Sequence, residues 1–130
     1  MIKLTATLRT LLTASCLLAT APLASAHSGS VTKTFEGAAS WYGPGFHGRQ
    51  TANGEIYDMN SLTAAHPSLP FGTRVRVTNE ATNESAVVRI NDRGPYAKGR
   101  IIDLSKGAAE DIGLLSSGVA RVTVEVLSNA

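Results

Sequence analysis

From Gly37 onward the chain alternates short apolar stretches with Gly, Pro and Asn, a pattern that predicts strands joined by tight turns. Arg121 to Leu127 is the clearest case. Val122, Val124 and Val126 take one side and Arg121, Thr123 and Glu125 the other, as a strand with one buried face requires. Arg74 to Thr78, Ser85 to Ile90 and Arg100 to Ile102 read as strands by the same logic. Between the first two of these, "TNEATNES" offers Asn residues that tolerate left-handed backbone, which predicts a hairpin loop. One helix is legible: Ser105 can cap it, Leu104, Ala108 and Ile112 recur at four-residue spacing on one face, and Gly113 ends it. A second, shorter helical turn is expected near Asn60, because "NSLTAAHPSLP" sets a capping residue before an Ala-rich stretch that Pro67 stops. Residues 27–36, "HSGSVTKTFE", are polar with no lasting period and read as a short lead-in.

Five to seven short strands with one or two short helices, spread over residues 37–128, fit one small closed all-β barrel. Closure also removes the exposed sheet edges that a domain of this size must otherwise protect. Residues 1–26 read as a secretory signal: Lys3 and Arg9 give a basic start, Leu11 to Leu23 an apolar stretch, and Ala24-Ser25-Ala26 small residues for cleavage. Nothing later in the chain is apolar for long enough to span a bilayer, so an exported protein without a transmembrane segment is expected, in the periplasm or cell envelope. Cys16 is the only cysteine, and Thr13-Ala14-Ser15-Cys16 is a rough match to a lipid-attachment site. Cleavage after Ala26 is the preferred reading and lipid anchoring through Cys16 the alternative. With that cleavage the mature chain has no thiol for a disulfide, a nucleophile or a metal.

Of the 12 Lys and Arg, Lys3 and Arg9 fall in the leader, leaving 10 against 10 Asp and Glu. A mature domain so balanced lacks the basic face that a phosphate backbone requires, so nucleic acid is set aside as a partner. His27, His47 and His66 show no ligand spacing and the acids form no calcium loop, so no metal is expected. No Ser sits in a Gly-x-Ser-x-Gly elbow, which argues against a serine hydrolase.

The chemistry-bearing residues fall in two stretches. In "NDRGPYAKGRIIDLS", Asp92 lies in a turn where it can accept backbone N–H groups or pair with Arg93, or else serve a site. Asp103 leaves an apolar strand just before a helix that Ser105 caps without its help. A carboxyl in such surroundings loses hydration and holds its proton more readily, which suits a general acid, although a partner for the helix dipole fits as well. In the second stretch, "GRQTANGEIYDMNSLTAAH", Glu55, Asp58 and His66 are either loop-displayed site residues or solvated turn and helix-end residues. Trp41, Tyr42, Phe46 and Tyr57 offer a sugar-stacking wall or a plug for the barrel.

The stretches "GAASWYGPGFHGRQTANGEIYDMNSLTAAHPSLPFGTRVRVTN", "VVRINDRGPYAKGRIIDLSKGAAEDIG" and "GVARVTVEVL" together resemble the rare lipoprotein A family of bacterial cell-envelope proteins over residues 37–127. The shorter pattern of "WYG" early and "IDLS" late is also similar to expansins. The resemblance implies a six-stranded double-psi β-barrel with one or two short helices. It implies lytic transglycosylase activity on the glycan strands of peptidoglycan, preferably strands stripped of stem peptides, giving 1,6-anhydro-muramic ends. No cofactor is implied, and a monomer is expected. By the same resemblance Asp103 is the acid and base, Asp92 its electrostatic partner and Glu55 a second candidate acid. Asp58, His66, Trp41, Tyr42, Tyr57 and Arg93 would line the groove. Many members carry a lipobox cysteine and a C-terminal glycan-binding repeat; here the match around Cys16 is poor and the given sequence ends at Ala130, so the resemblance leaves septal targeting and outer-membrane retention open. A non-catalytic glycan-binding or wall-loosening module is the alternative, and a hydrolytic glycosidase, needing a second carboxylate with room for water, a third.

Overall fold

A computed structural model describes residues 29–128; residues 1–28, with the expected secretory signal and Cys16, and residues 129–130 lie outside the described residues. Six strands and one helix follow in chain order: β1 (Val31–Trp41), β2 (Thr63–Ala65), β3 (Arg74–Asn79), β4 (Ser85–Asp92), β5 (Arg100–Leu104), α1 (Lys106–Asp111) and β6 (Val119–Leu127). They close into a barrel in the order β1-β5-β2-β4-β3-β6. The pairs β1/β5 and β2/β4 are parallel and the other four antiparallel.

Branched residues at every second position fill the interior. Val75 and Val77 of β3, Val88 and Ile90 of β4, Ile102 and Leu104 of β5, and Val122 and Val124 of β6 are all fully buried, and α1 closes one end with Ala108, Ala109 and Ile112. Burying each Val, Leu or Ile side chain contributes about 1.5–3 kcal/mol. Ser105 caps the helix as its spacing predicts, its Oγ accepting from the Ala108 N–H, and Gly113 follows at φ +72°, a conformation only glycine adopts without strain. The hairpin between β3 and β4 turns through Asn83 at φ +66°, also as expected.

Two expectations are corrected. Val31 to Glu36, read as lead-in, form the first half of β1 and pair with β6 from Val31 to Ser40. Most of that half is exposed, so burial writes no alternation into the sequence there, although Val31, Thr32 and Thr34 suit extended backbone. The Ala-rich stretch after Asn60 is not a helical turn but β2, with Thr63, Ala64 and Ala65 all buried. Its position between β4 and β5 overrides the helix preference of alanine, because no larger side chain is needed to fill that part of the wall.

Candidate active site

The two aspartates of the "NDRGPYAKGRIIDLS" stretch end on either side of one residue. Ala65 of β2 is in register with Asp92 of β4 on one side and with Asp103 of β5 on the other. Two strand spacings separate the aspartates, about 10 Å between Cα atoms. Both line an open groove of about 450 Å³, together with Ser40, Trp41, Tyr42, Phe46, Thr51, Tyr57, Arg93 and Arg100.

The two carboxylates differ in what holds them. Asp92 is gripped on both oxygens: Oδ1 accepts from the backbone N–H groups of Ala52 and Arg93, each at 2.9 Å, and Oδ2 from the Tyr42 hydroxyl at 2.7 Å. Asp103 accepts a close hydrogen bond at Oδ1 from the Ser40 hydroxyl across the β1/β5 pair. Among the described residues its Oδ2 has no such partner, so Asp103 has an oxygen to offer the groove. Tyr42 is kept protonated by burial first, then by its bond to Asp92 and the negative charges of Asp92 and Asp103, which push its pKa far above that of an ordinary phenol. Its ring meets Tyr57 edge-on at 4.7 Å and Phe46 at 5.6 Å, so the aromatic residues form a wall beside the acids. Tyr57 is tied in turn to the start of α1, its hydroxyl accepting from the Lys106 N–H at 3.1 Å.

Asp92, Asp103, Trp41, Tyr42, Tyr57 and Arg93 therefore meet, as the sequence suggested, whereas Glu55, Asp58 and His66 do not line this groove. Glu55 is bound by both guanidinium nitrogens of Arg89, at 2.7 and 2.9 Å, and by the side-chain amides of Asn53 and Asn91 at 2.8 and 3.3 Å. The Arg89 pair, with help from the amides, pulls its pKa down to about 2, so it holds no proton to donate near neutral pH. Glu55, the second candidate acid, is thus held as a carboxylate by Arg89 outside the groove that Asp92 and Asp103 line. Asp58 is an exposed turn residue whose oxygens accept from the Asn60 N–H and the Ser61 hydroxyl. His66 is buried against Phe35 and accepts at Nδ1 from the N–H groups of Ser68 and Leu69, at 3.1 and 3.0 Å. Burial, and then Arg93 and Lys33, lower its pKa. It acts on the groove only through its backbone, whose N–H bonds the Asp92 carbonyl and whose carbonyl accepts from Arg93.

Sequence reasoning missed Ser40, Thr51 and Arg100. Ser40 is the one hydroxyl in the small-residue run before Trp41, and Arg100 sits three positions before Asp103, a spacing that places the two on opposite faces of an undistorted strand.

Residues 34–124 match the family described as lytic transglycolase. Among curated relatives, the probable endolytic peptidoglycan transglycosylase RlpA of Synechocystis sp. is 65% identical over 91 residues, 70% of this chain and 28% of that protein. The endolytic peptidoglycan transglycosylase RlpA of Campylobacter jejuni is 56% identical over 98 residues, 75% of this chain and 36% of that one. The chain thus spans about a third of the length of the curated relatives it matches. Two solved structures share the architecture: the Streptomyces papain inhibitor, at 22% identity and TM-score 0.61 over 75% of this chain and 97% of that one, and the Clavibacter michiganensis expansin, at 20% and 0.60 over 75% and 52%. At such identities they speak for the fold alone. With a closed six-stranded barrel, a two-aspartate groove and a family match across most of its length, this chain belongs to the lytic transglycolase family of double-psi β-barrels, the rare lipoprotein A family.

Proposed function

We propose that the groove cleaves the glycan strands of peptidoglycan between N-acetylmuramic acid and N-acetylglucosamine by lytic transglycosylation, acting in the periplasm or cell envelope. The observation that carries this reading is the register of Asp92 and Asp103 on the two sides of Ala65, in one open groove with an aromatic wall. Asp103 is the acid: it protonates the glycosidic oxygen as the C1–O bond breaks and the N-acetylglucosamine residue leaves. Asp92, an anion held by three donors, faces the positive charge that develops at C1. Asp103, now a carboxylate, takes the proton of the muramyl C6 hydroxyl while that oxygen closes on C1. The products are a 1,6-anhydro-muramic end and a free 4-hydroxyl, and no water is consumed. One carboxyl serves both transfers, so the reaction does not need the separate water-activating base of an inverting hydrolase. The Ser40 hydroxyl fixes Asp103 throughout. Trp41 and Tyr42 line the groove where sugar rings can stack, and the buried Tyr57 backs Tyr42 from behind.

Digestion of purified, peptide-free glycan strands followed by mass analysis of the ends tests the proposal. Anhydro-muramic ends are expected. Reducing ends in their place mean hydrolysis, and intact strands that remain bound mean a binding module; either result overturns it.

A further inference from the structure

The groove holds three arginines, Arg49, Arg93 and Arg100, beside only two aspartates. Among the described residues the ion pairs are Arg76–Glu125, Arg89–Glu55 and Arg121–Glu80, so none of the three groove arginines has a carboxylate partner. The channel therefore presents surplus positive charge to its ligand.

The three are not equivalent. Arg93 stacks over Phe71 at 3.9 Å and donates from Nη1 to the carbonyls of Leu69 and His66, which makes it a strut of the loop. Arg49 is exposed, its guanidinium 5.5 Å from the centre of the Phe46 ring, where solvent screens its charge. Arg100 is half-buried, and among the described residues its Nε–H is shut off from solvent without meeting an acceptor. A guanidinium partly withdrawn from water and left without a partner is unfavourable; the enclosed Nε–H is out of a ligand's reach, but an anion in the groove can meet the terminal Nη groups of this lining residue and offset part of that cost. Its planar fork of donors matches a carboxylate, which can accept from two nitrogens at once. Arg100 also faces the same way as the acid. In the β1/β5 pair Ala38 is in register with Arg100 but Ala39 with Ile102, so Ile101 is an extra residue that brings Arg100 onto the face of Asp103.

We propose that Arg100 grips the lactyl carboxylate of a peptide-free muramoyl residue, and so both selects stripped strands and sets their register on Asp103. The proposal rests on the reading of the groove as a peptidoglycan site. In a strand that still bears stem peptides the lactyl carboxyl is a neutral amide; only hydrolysis of that amide bond exposes the charge, so an amidase-type reaction must supply this substrate. Because muramoyl and glucosaminyl residues alternate and only the former carries a carboxylate, a clamp on the strand of the acid decides which of the two alternating linkages meets it.

The only tryptophan of the chain, Trp41, lines the groove and reports binding without any need for turnover. Quenching of its fluorescence at mixing gives Kd for three probes: a peptide-free N-acetylglucosamine–N-acetylmuramic acid tetrasaccharide, the same sugar with its carboxyls converted to methylamides, and a tetrasaccharide of N-acetylglucosamine alone. The protein should bind the carboxylate form about tenfold more tightly than either neutral sugar, the scale of one partly exposed charge-assisted contact. Arg100→Gln should bring the three within about twofold of one another, and Arg100→Lys should keep an intermediate preference, since it retains the charge but not the fork. Thermal unfolding of both variants separates a lost clamp from a lost fold. Equal binding of the three probes by the unaltered protein, or an undiminished preference in a folded Arg100→Gln variant, overturns the clamp. Intact preference with no cleavage of any strand instead counts against the transglycosylase reading and leaves the clamp standing.

Discussion

Replacing Glu55 by Gln separates a residue that holds the site together from one that performs chemistry. Glu55 gathers Arg89 and Asn91 of β4 and Asn53 of the preceding loop, the loop whose Ala52 N–H grips Asp92. Arg89 and the two amides draw the folded-state pKa down from 4.5 to about 2. A displacement of that size is equivalent to about 3 kcal/mol if none of it is lost to solvent. The side chain of Glu55 is 39% exposed and that of Arg89 42%, so screening and side-chain entropy reduce the useful part to about 1 kcal/mol. Because the folded pKa lies below the unfolded one, this stability is fully present above pH 4.5 and is lost as pH falls toward 2. Thermal unfolding followed by circular dichroism should therefore put Glu55→Gln about 5 °C below the unaltered protein at pH 7. The gap should close as the pH is lowered through that window, since a protonated Glu55 resembles Gln. Turnover in the variant should fall only as far as the Ala52 contact loosens, and the alkaline limb of its pH–rate profile should keep its midpoint. A stability gap that persists unchanged at pH 2, or an alkaline limb that vanishes with Glu55, would refute this account and restore Glu55 as a candidate acid.

Other substitutions probe the same groove and its supports. Asp103→Asn should abolish cleavage with little change in thermal stability, since the amide oxygen can still accept from Ser40 while the transferable proton is gone. Asp92→Asn should lower both activity and melting temperature, because an amide cannot accept from all of Tyr42, Ala52 and Arg93; equal stability of the two variants counts against the assigned roles. Tyr42→Phe removes one charge-assisted bond and leaves the ring in the wall, so turnover should drop about tenfold with glycan binding retained, as measured by Trp41 quenching. Asn79→Ala deletes a buried hydrogen bond to the Ile112 carbonyl at the end of α1 and a part-buried one from the Ala81 N–H, and urea unfolding should register a loss of about 2 kcal/mol.

The sequence was most legible where one face of a strand is buried and the other wet. Val122, Val124 and Val126 of β6 and the Ser105 cap needed no tertiary knowledge. β1 was half missed because its first six residues have little burial to write into a pattern, and β2 was misread because its burial is complete on a segment only three residues long. The same divide runs through the site. Asp103 stood out because it leaves an apolar strand, and Asp92, read as a turn residue but found at the end of β4, because it shares that stretch, whereas Glu55, Asp58 and His66 stood out only by residue type. The last three turn out to be satisfied by Arg89, by Ser61 with Asn60, and by the Ser68 and Leu69 N–H groups. Ser40 and Arg100 could not be found, because their meaning lies in which strand crosses next to them.

The alternation rule that makes strands legible is also what hides this groove. In an undistorted β4, Asp92 would share a face with Ile90 and point into the barrel; in an undistorted β5, Arg100 would do the same with Ile102. Each strand instead carries one extra residue. Ala64 is in register with Ile90 but Ala65 with Asp92, leaving Asn91 over, and Ala38 with Arg100 but Ala39 with Ile102, leaving Ile101 over. Each extra residue reverses the phase and turns a charged side chain from the core to the outer face, the use to which bulges beside functional sites are put. Each also needs somewhere to go. Asn91 is buried, where its side chain reaches Glu55 and its carbonyl accepts from the Asn53 N–H. Ile101 folds over Gly37, where an added Cβ would stand 2.6 Å from its Cγ2. Glu55 and Gly37, neither of which lines the groove, are therefore what allow Asp92 and Arg100 to do so, and the groove depends on residues that no inventory of its lining would contain.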